Sequence, residues 1–115
     1  MGHKVINRTP NGLMFYCGGC KLVHIEYKNL NFNFTNDQLQ KFSQYIFDLK
    51  GEEWEIKNEY SPFRRKIVVP ISHDPFNFLL NMQELNELKT LLQKPKNNPS
   101  VTELLKKMND SIRCN

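Results

Sequence analysis

The chain has 115 residues, room for one hydrophobic core and no more. Its apolar fraction of 39% and charged fraction of 24% are those of a soluble globular domain. No run approaches the ~18 apolar residues that span a bilayer, so a membrane role is not expected. The net charge of +4 is mild and dispersed. Arg64-Arg65-Lys66 is its densest basic group, and Glu52, Glu53 and Glu55 around Trp54 nearly offset it. Such a balance permits nucleic-acid contact but does not indicate it. Met1-Gly2-His3-Lys4 leads into no apolar signal region, so a cytoplasmic protein is expected.

In chain order, Leu13 to Cys17 and Cys20 to Tyr27 alternate apolar and polar residues and flank Gly18-Gly19. That pattern predicts a hairpin closed by a two-residue primed turn. Leu30 to Phe34 follows Lys28-Asn29 as the next strand. Thr35-x-x-Gln38 is a capping pair before a helical stripe of Leu39, Phe42, Ile46 and Leu49, with Gly51 as its stop. Glu53 to Lys57, Arg65 to Ile71 and Phe76 to Leu80 read as further strands, Pro70 marking an edge or a bulge. Asn81-x-x-Glu84 caps a second helix carrying Leu85, Leu88 and Leu92 and stopped by Pro95. Lys94 to Pro99 reads as a linker. Ser100-x-x-Glu103 then caps a third helix lined by Val101, Leu104, Leu105, Met108 and Ile112.

These elements repeat at an offset of 46 residues. Val23-x-Ile25, Asn31-Phe32-x-Phe34, Leu39 and Phe42 align with Val69-x-Ile71, Asn77-Phe78-x-Leu80, Leu85 and Leu88. The expected fold is α+β within a single domain over residues 1–115. It contains a duplicated strand–strand–helix unit, spanning about 12–50 and 53–94, and an extra C-terminal helix over 100–113. An antiparallel sheet of roughly five to seven short strands would carry the two related helices on one face.

Cys17-Gly18-Gly19-Cys20 is where chemistry could gather. Two thiols on a tight knuckle form half of a tetrahedral zinc site. The other half is not evident in sequence. On a fully extended strand, four residues at ~3.3 Å each would put His24 roughly 13 Å from Cys20, on the same face but out of reach of one ion. A second Cys17/Cys20 pair brought in by a twofold homodimer would complete four ligands, and Cys114 would supply a third within one chain; His73 is distant in sequence. With no signal peptide and an odd count of three cysteines, a disulfide scaffold is not expected.

A thiol-based redox role for Cys17 and Cys20 is the alternative. It lacks the helix N-terminus that activates a thioredoxin-type pair, because Val23, Ile25 and Tyr27 alternate as a strand. In a third reading the pair is structural. The equivalent positions of the second copy are Phe63 and Lys66, so the unit does not demand thiols.

No serine lies in a nucleophile-elbow context, and no glycine-rich loop precedes Lys-Ser or Lys-Thr. Ser72-His73-Asp74 are consecutive and would point to alternate faces of a strand, so they cannot form a relay. Most aromatic residues fall at core positions. Trp54 and Tyr60 lie in a polar stretch instead, where a large aromatic side chain is available to a protein partner.

The run Tyr16-Cys17-Gly18-Gly19-Cys20, the strand through Val23, Lys28-Asn29-Leu30, Phe32-x-Phe34 and Glu84-Leu85-Asn86-Glu87-Leu88 together resemble a family of small uncharacterised bacterial proteins, a domain of unknown function found mostly in Bacteroidota. The resemblance covers nearly the whole chain. It implies a soluble bacterial protein and brings no activity, substrate or partner. The expected function is therefore a binding or regulatory module rather than an enzyme. Its zinc would be held by Cys17 and Cys20, and its protein partner met through Trp54 and Tyr60. Thiol redox chemistry and electrostatic nucleic-acid binding through Arg64, Arg65 and Lys66 are the alternatives.

Overall fold

The structure is a computed structural model that describes residues 2–71 and 75–93. The linker, the third helix, Cys114 and Ser72-His73-Asp74 lie outside the described residues. Four strands form an antiparallel sheet in chain order: β1 (His3–Thr9), β2 (Gly12–Cys17), β3 (Leu22–Tyr27) and β4 (Leu30–Phe34). Helices α1 (Asn36–Asp48) and α2 (Gly51–Lys57) follow. A separate antiparallel pair, β5 (Ile67–Pro70) and β6 (Asn77–Leu80), leads into α3 (Met82–Leu92).

The period-two pattern divides the large sheet into two faces. Met14 and Tyr16 of β2 and Val23, Ile25 and Tyr27 of β3 are buried on the inner face. Leu39 and Ile46 of α1 pack against it with Leu85, Leu88 and Leu91 of α3. The capping boxes at Thr35/Gln38 and Asn81/Glu84 are both formed, so each helix starts where its sequence expects. β3 and β4 of the four-stranded sheet lead into α1, and β5 and β6, a separate two-stranded ribbon, lead into α3.

Three local expectations are corrected. Glu53–Lys57 is helical and belongs to α2, with Glu52 and Glu53 in its first turn and Lys57 in its last, the order a helix dipole favours. Its apparent alternation misleads because Trp54 packs on the core while Ile56 is 73% exposed. Gly51 opens α2 instead of stopping α1, which ends at Leu49 in extended backbone. A Cβ at Gly51 would collide with Met82 Sδ, so the glycine serves a close approach to α3. Finally, β1 extends the sheet where a polar sequence gave no strand signal. Alternation from Val5 puts Ile6 in the core, and a register shift between Val5 and Asn7 brings Asn7 opposite Met14 on the inner face, where its Nδ2 donates to the carbonyls of Thr90 and Leu91 at the end of α3.

Two carboxylates of α3 clasp the sheet's turns. Glu84 accepts from Lys28 Nζ and Arg65 Nε, each at 2.6 Å, and from the Asn81 backbone N–H at 2.9 Å. Burial alone would raise its pKa; the bonds from Arg65 and Lys28 outweigh that and hold it at about 2. Glu87 accepts from the backbone and side-chain nitrogens of Asn11 and from Tyr27 Oη. Burial again opposes, and the Asn11 bonds bring it to about 2. Lys28 sits at φ 53° in the two-residue turn between β3 and β4, where its ammonium can meet Glu84.

Candidate metal centre

The outer face of the four-stranded sheet carries the site. Val5, Phe15, His24 and Asn33 are mutual cross-strand partners and form one row across β1 to β4. The adjacent row holds His3, Cys17 and Leu22. Residues directly opposite in an antiparallel pair share a face, so His3, Cys17 and His24 all project to this side.

The turn between β2 and β3 differs from the expected two-residue form. Cys17 pairs with Leu22, so Gly18, Gly19, Cys20 and Lys21 all belong to the turn. Lys21, at φ 57°, takes the left-handed conformation, and neither glycine has a positive φ. The Cys20 backbone N–H donates to the Cys17 carbonyl, weakly at 3.5 Å, and the chain folds back over β3.

That fold-back overturns the expected separation of Cys20 and His24. Cys20 Sγ lies 3.5 Å from His24 Nε2, because Cys20 is not on the strand whose rise set the 13 Å expectation. The ligand atoms of Cys17, Cys20 and His24 all lie within 4.8 Å of one another. Cys17 is half-buried and Cys20 exposed, and both are reduced thiols.

The imidazole is oriented from behind. His24 Nδ1 lies 2.6 Å from Asn33 Oδ1, and an amide oxygen only accepts, so Nδ1 carries the proton. Nε2 then presents its lone pair to Cys20. This is the arrangement in which an outer partner fixes the tautomer of a metal-binding histidine. Phe15 packs against the same ring at 5.0 Å between centroids and holds its tilt.

Cys17 is already inclined toward the thiolate. The hydrogen bond from Cys20 is the largest cause and the Gly19 backbone adds to it, together outweighing desolvation, and the pKa falls from 9.0 to about 7. Two thiolates and a neutral imidazole form a soft, borderline donor set, suited to zinc over magnesium or calcium.

The other residues singled out in sequence lie elsewhere. Trp54 is half-buried, with Lys57 Nζ 4.8 Å from its ring centroid. Tyr60 is 93% exposed and stands close to exposed Phe63 in sequence. The basic triple is divided: Arg65 is paired with Glu84, and Lys66 Nζ donates to the Ser61 carbonyl at 2.6 Å. Arg64 lines a groove of about 440 Å³ with Lys28, Leu30 and Phe78, at the far end of β3 from the cysteines. No helix among the described residues is long and apolar enough to cross a membrane.

Sequence reading missed Asn33, the hydrogen-bond partner of His24. The alternation Asn31-Phe32-Asn33-Phe34 could have placed Asn33 on the outer face, but only the register names His24 as its neighbour. No curated protein and no solved structure matches the chain. A family model does, over its full length: residues 1–115 belong to the family of unknown function DUF6686.

Proposed function

We propose that this chain is a small binding or regulatory module whose β2–β3 hairpin holds one zinc ion through Cys17 Sγ, Cys20 Sγ and His24 Nε2. One observation carries the reading. The Asn33 amide oxygen fixes the proton on Nδ1, leaving the other nitrogen's lone pair directed at a thiol that shares a knuckle with a second thiol. An imidazole on the open face of a sheet has no packing reason to be held in that tautomer. Zinc would tie the turn to β3 and fix the outer face as a rigid surface. The protein partner would be met by exposed aromatic groups, Tyr60 foremost, with Trp54 behind it. A cytoplasmic setting, where thiols stay reduced, is part of the same reading.

The test is zinc affinity, measured by competition with a chelating dye, for the wild type and for Cys17→Ser, Cys20→Ser and His24→Ala. Tight binding at one ion per chain, lost in the cysteine variants, is expected. Equal affinity in all four proteins would refute the site.

The lowered Cys17 pKa favours a second reading, a reactive dithiol. It requires that the metal-free protein, at neutral pH, react with an alkylating probe at Cys17 far faster than at Cys114. It also requires no zinc in protein purified under reducing conditions.

A further inference from the structure

Three ligands leave a tetrahedral zinc one short, and what fills the fourth position decides whether the ion is structural or open to chemistry. The outer face supplies a candidate. His3 of β1 is the direct cross-strand partner of Cys17. Directly opposed residues have Cβ atoms about 4.5–5.5 Å apart on the same face of the sheet. The imidazole of His3 packs edge-on against Phe15, with 5.2 Å between ring centroids, while His24 packs on the same ring at 5.0 Å. Phe15 is thus an apolar floor between two imidazoles, and Cys17 stands beside it on the same strand.

On this face Cys17 is bordered by His3, Val5, Phe15, Leu22 and His24, with Cys20 in the turn above it. Of the two neighbours on β1, His3 is the one with a ligand atom. Its side chain is exposed, so rotating it from Phe15 toward Cys17 meets no packed core. A nitrogen and a sulfur bound to one tetrahedral zinc are roughly 3.5 Å apart, within the reach of directly opposed side chains of these lengths.

Resting on the zinc reading above, we infer that His3 is the fourth ligand and closes a two-cysteine, two-histidine site within a single chain. The closed sphere is neutral: two thiolates balance the ion and the two imidazoles add no charge. It fastens the edge strand β1 to the β2–β3 hairpin and leaves no position for substrate or catalytic water. Neither a second copy of the chain nor Cys114 is then needed.

The experiment is zinc titration of the full chain against a competing chelator, with stoichiometry from native mass spectrometry, for the wild type, His3→Ala and Cys20→Ser. Imidazole nitrogen spectra of the wild type, recorded with and without zinc, give a second readout. The expected result is one zinc per monomer, affinity at least ~10-fold weaker in His3→Ala, and metal-induced shifts of both the His3 and His24 rings. Wild-type affinity in His3→Ala, with His24 alone shifting, overturns the inference and leaves the three-residue reading standing. One zinc per two chains also overturns it, in favour of a shared four-sulfur site. A wild type that takes up no zinc refutes both readings. Because His3 is an exposed residue of an edge strand, His3→Ala should keep its circular dichroism, which separates ligand loss from unfolding.

Discussion

Asn33 Oδ1 lies 2.6 Å from His24 Nδ1, and that single bond holds a surface histidine with its Nε2 facing Cys20 Sγ. Removing it should leave the fold intact, since Asn33 is exposed on the outer face. Asn33→Ala is expected to weaken zinc binding about 10- to 100-fold, the usual effect of losing an outer-shell partner. Asn33→Asp keeps an acceptor and should bind at least as well as the wild type. Chelator competition measures both, and unchanged affinity in Asn33→Ala would mean that the histidine needs no positioning.

Zinc should also stabilise the fold by mass action. A ligand at a hundred times its dissociation constant adds about 2.7 kcal/mol when it binds only the native state. The melting temperature of the wild type should therefore rise with added zinc. Cys20→Ser should melt like the metal-free wild type and show no rise, because Cys20 is exposed and contributes nothing to the core. Thermal scans with and without chelator make the comparison.

Glu84 is the polar centre of the fold, buried between Lys28 and Arg65. Glu84→Gln keeps the shape but removes the charge that both cations face, and should cost about 1–3 kcal/mol in urea unfolding. The same contacts set an acid limit. The pKa values of Glu84 and Glu87 are lowered in the folded state from 4.5 to about 2. A depressed carboxylate stabilises the native state above its unfolded pKa and loses that contribution as the pH falls toward the folded value. Stability should thus be level above pH 5 and fall between about 4.5 and 2. In Glu84→Gln the fall should be shallower.

Gly12 begins β2 at the point where three elements meet. A Cβ there would lie 2.7 Å from Leu91 Cδ2, 2.9 Å from Thr9 Oγ1 and 3.2 Å from Tyr27 Cδ1. These atoms belong to α3, β1 and β3, so no single side-chain rotation relieves the crowding. Gly12→Ala should destabilise by about 1–3 kcal/mol, as overpacking does, with zinc affinity at native temperatures unchanged. Denaturant midpoints beside a zinc titration test the pair of expectations.

Much of this architecture was legible in the sequence. The two capping boxes, the apolar stripes of α1 and α3 and the alternation of β2, β3 and β4 placed those elements correctly, because each is a local periodicity read by one core. Failures came where the signal was not local. The polar strand β1 is specified by its partner β2 and by the Asn7 clasp on α3, and neither can be seen in the residues His3–Thr9 themselves. Helix α2 was misread because Trp54 and Ile56 alternate, although one packs on the core and the other faces solvent. The cysteine pair was legible as part of a group that could hold a metal ion. Its third member was dismissed by measuring along an extended strand, whereas Lys21 in a left-handed conformation folds Cys20 back over His24. Spacing in sequence sets reach only where the backbone conformation is known.

The central claim, a zinc ion on the β2–β3 hairpin, is tested most directly by native mass spectrometry of protein purified without chelator. One zinc per chain in the wild type, absent from Cys17→Ser and Cys20→Ser, is the predicted result. A folded, metal-free chain with every thiol reduced, which stays metal-free when stoichiometric zinc is added, would contradict it.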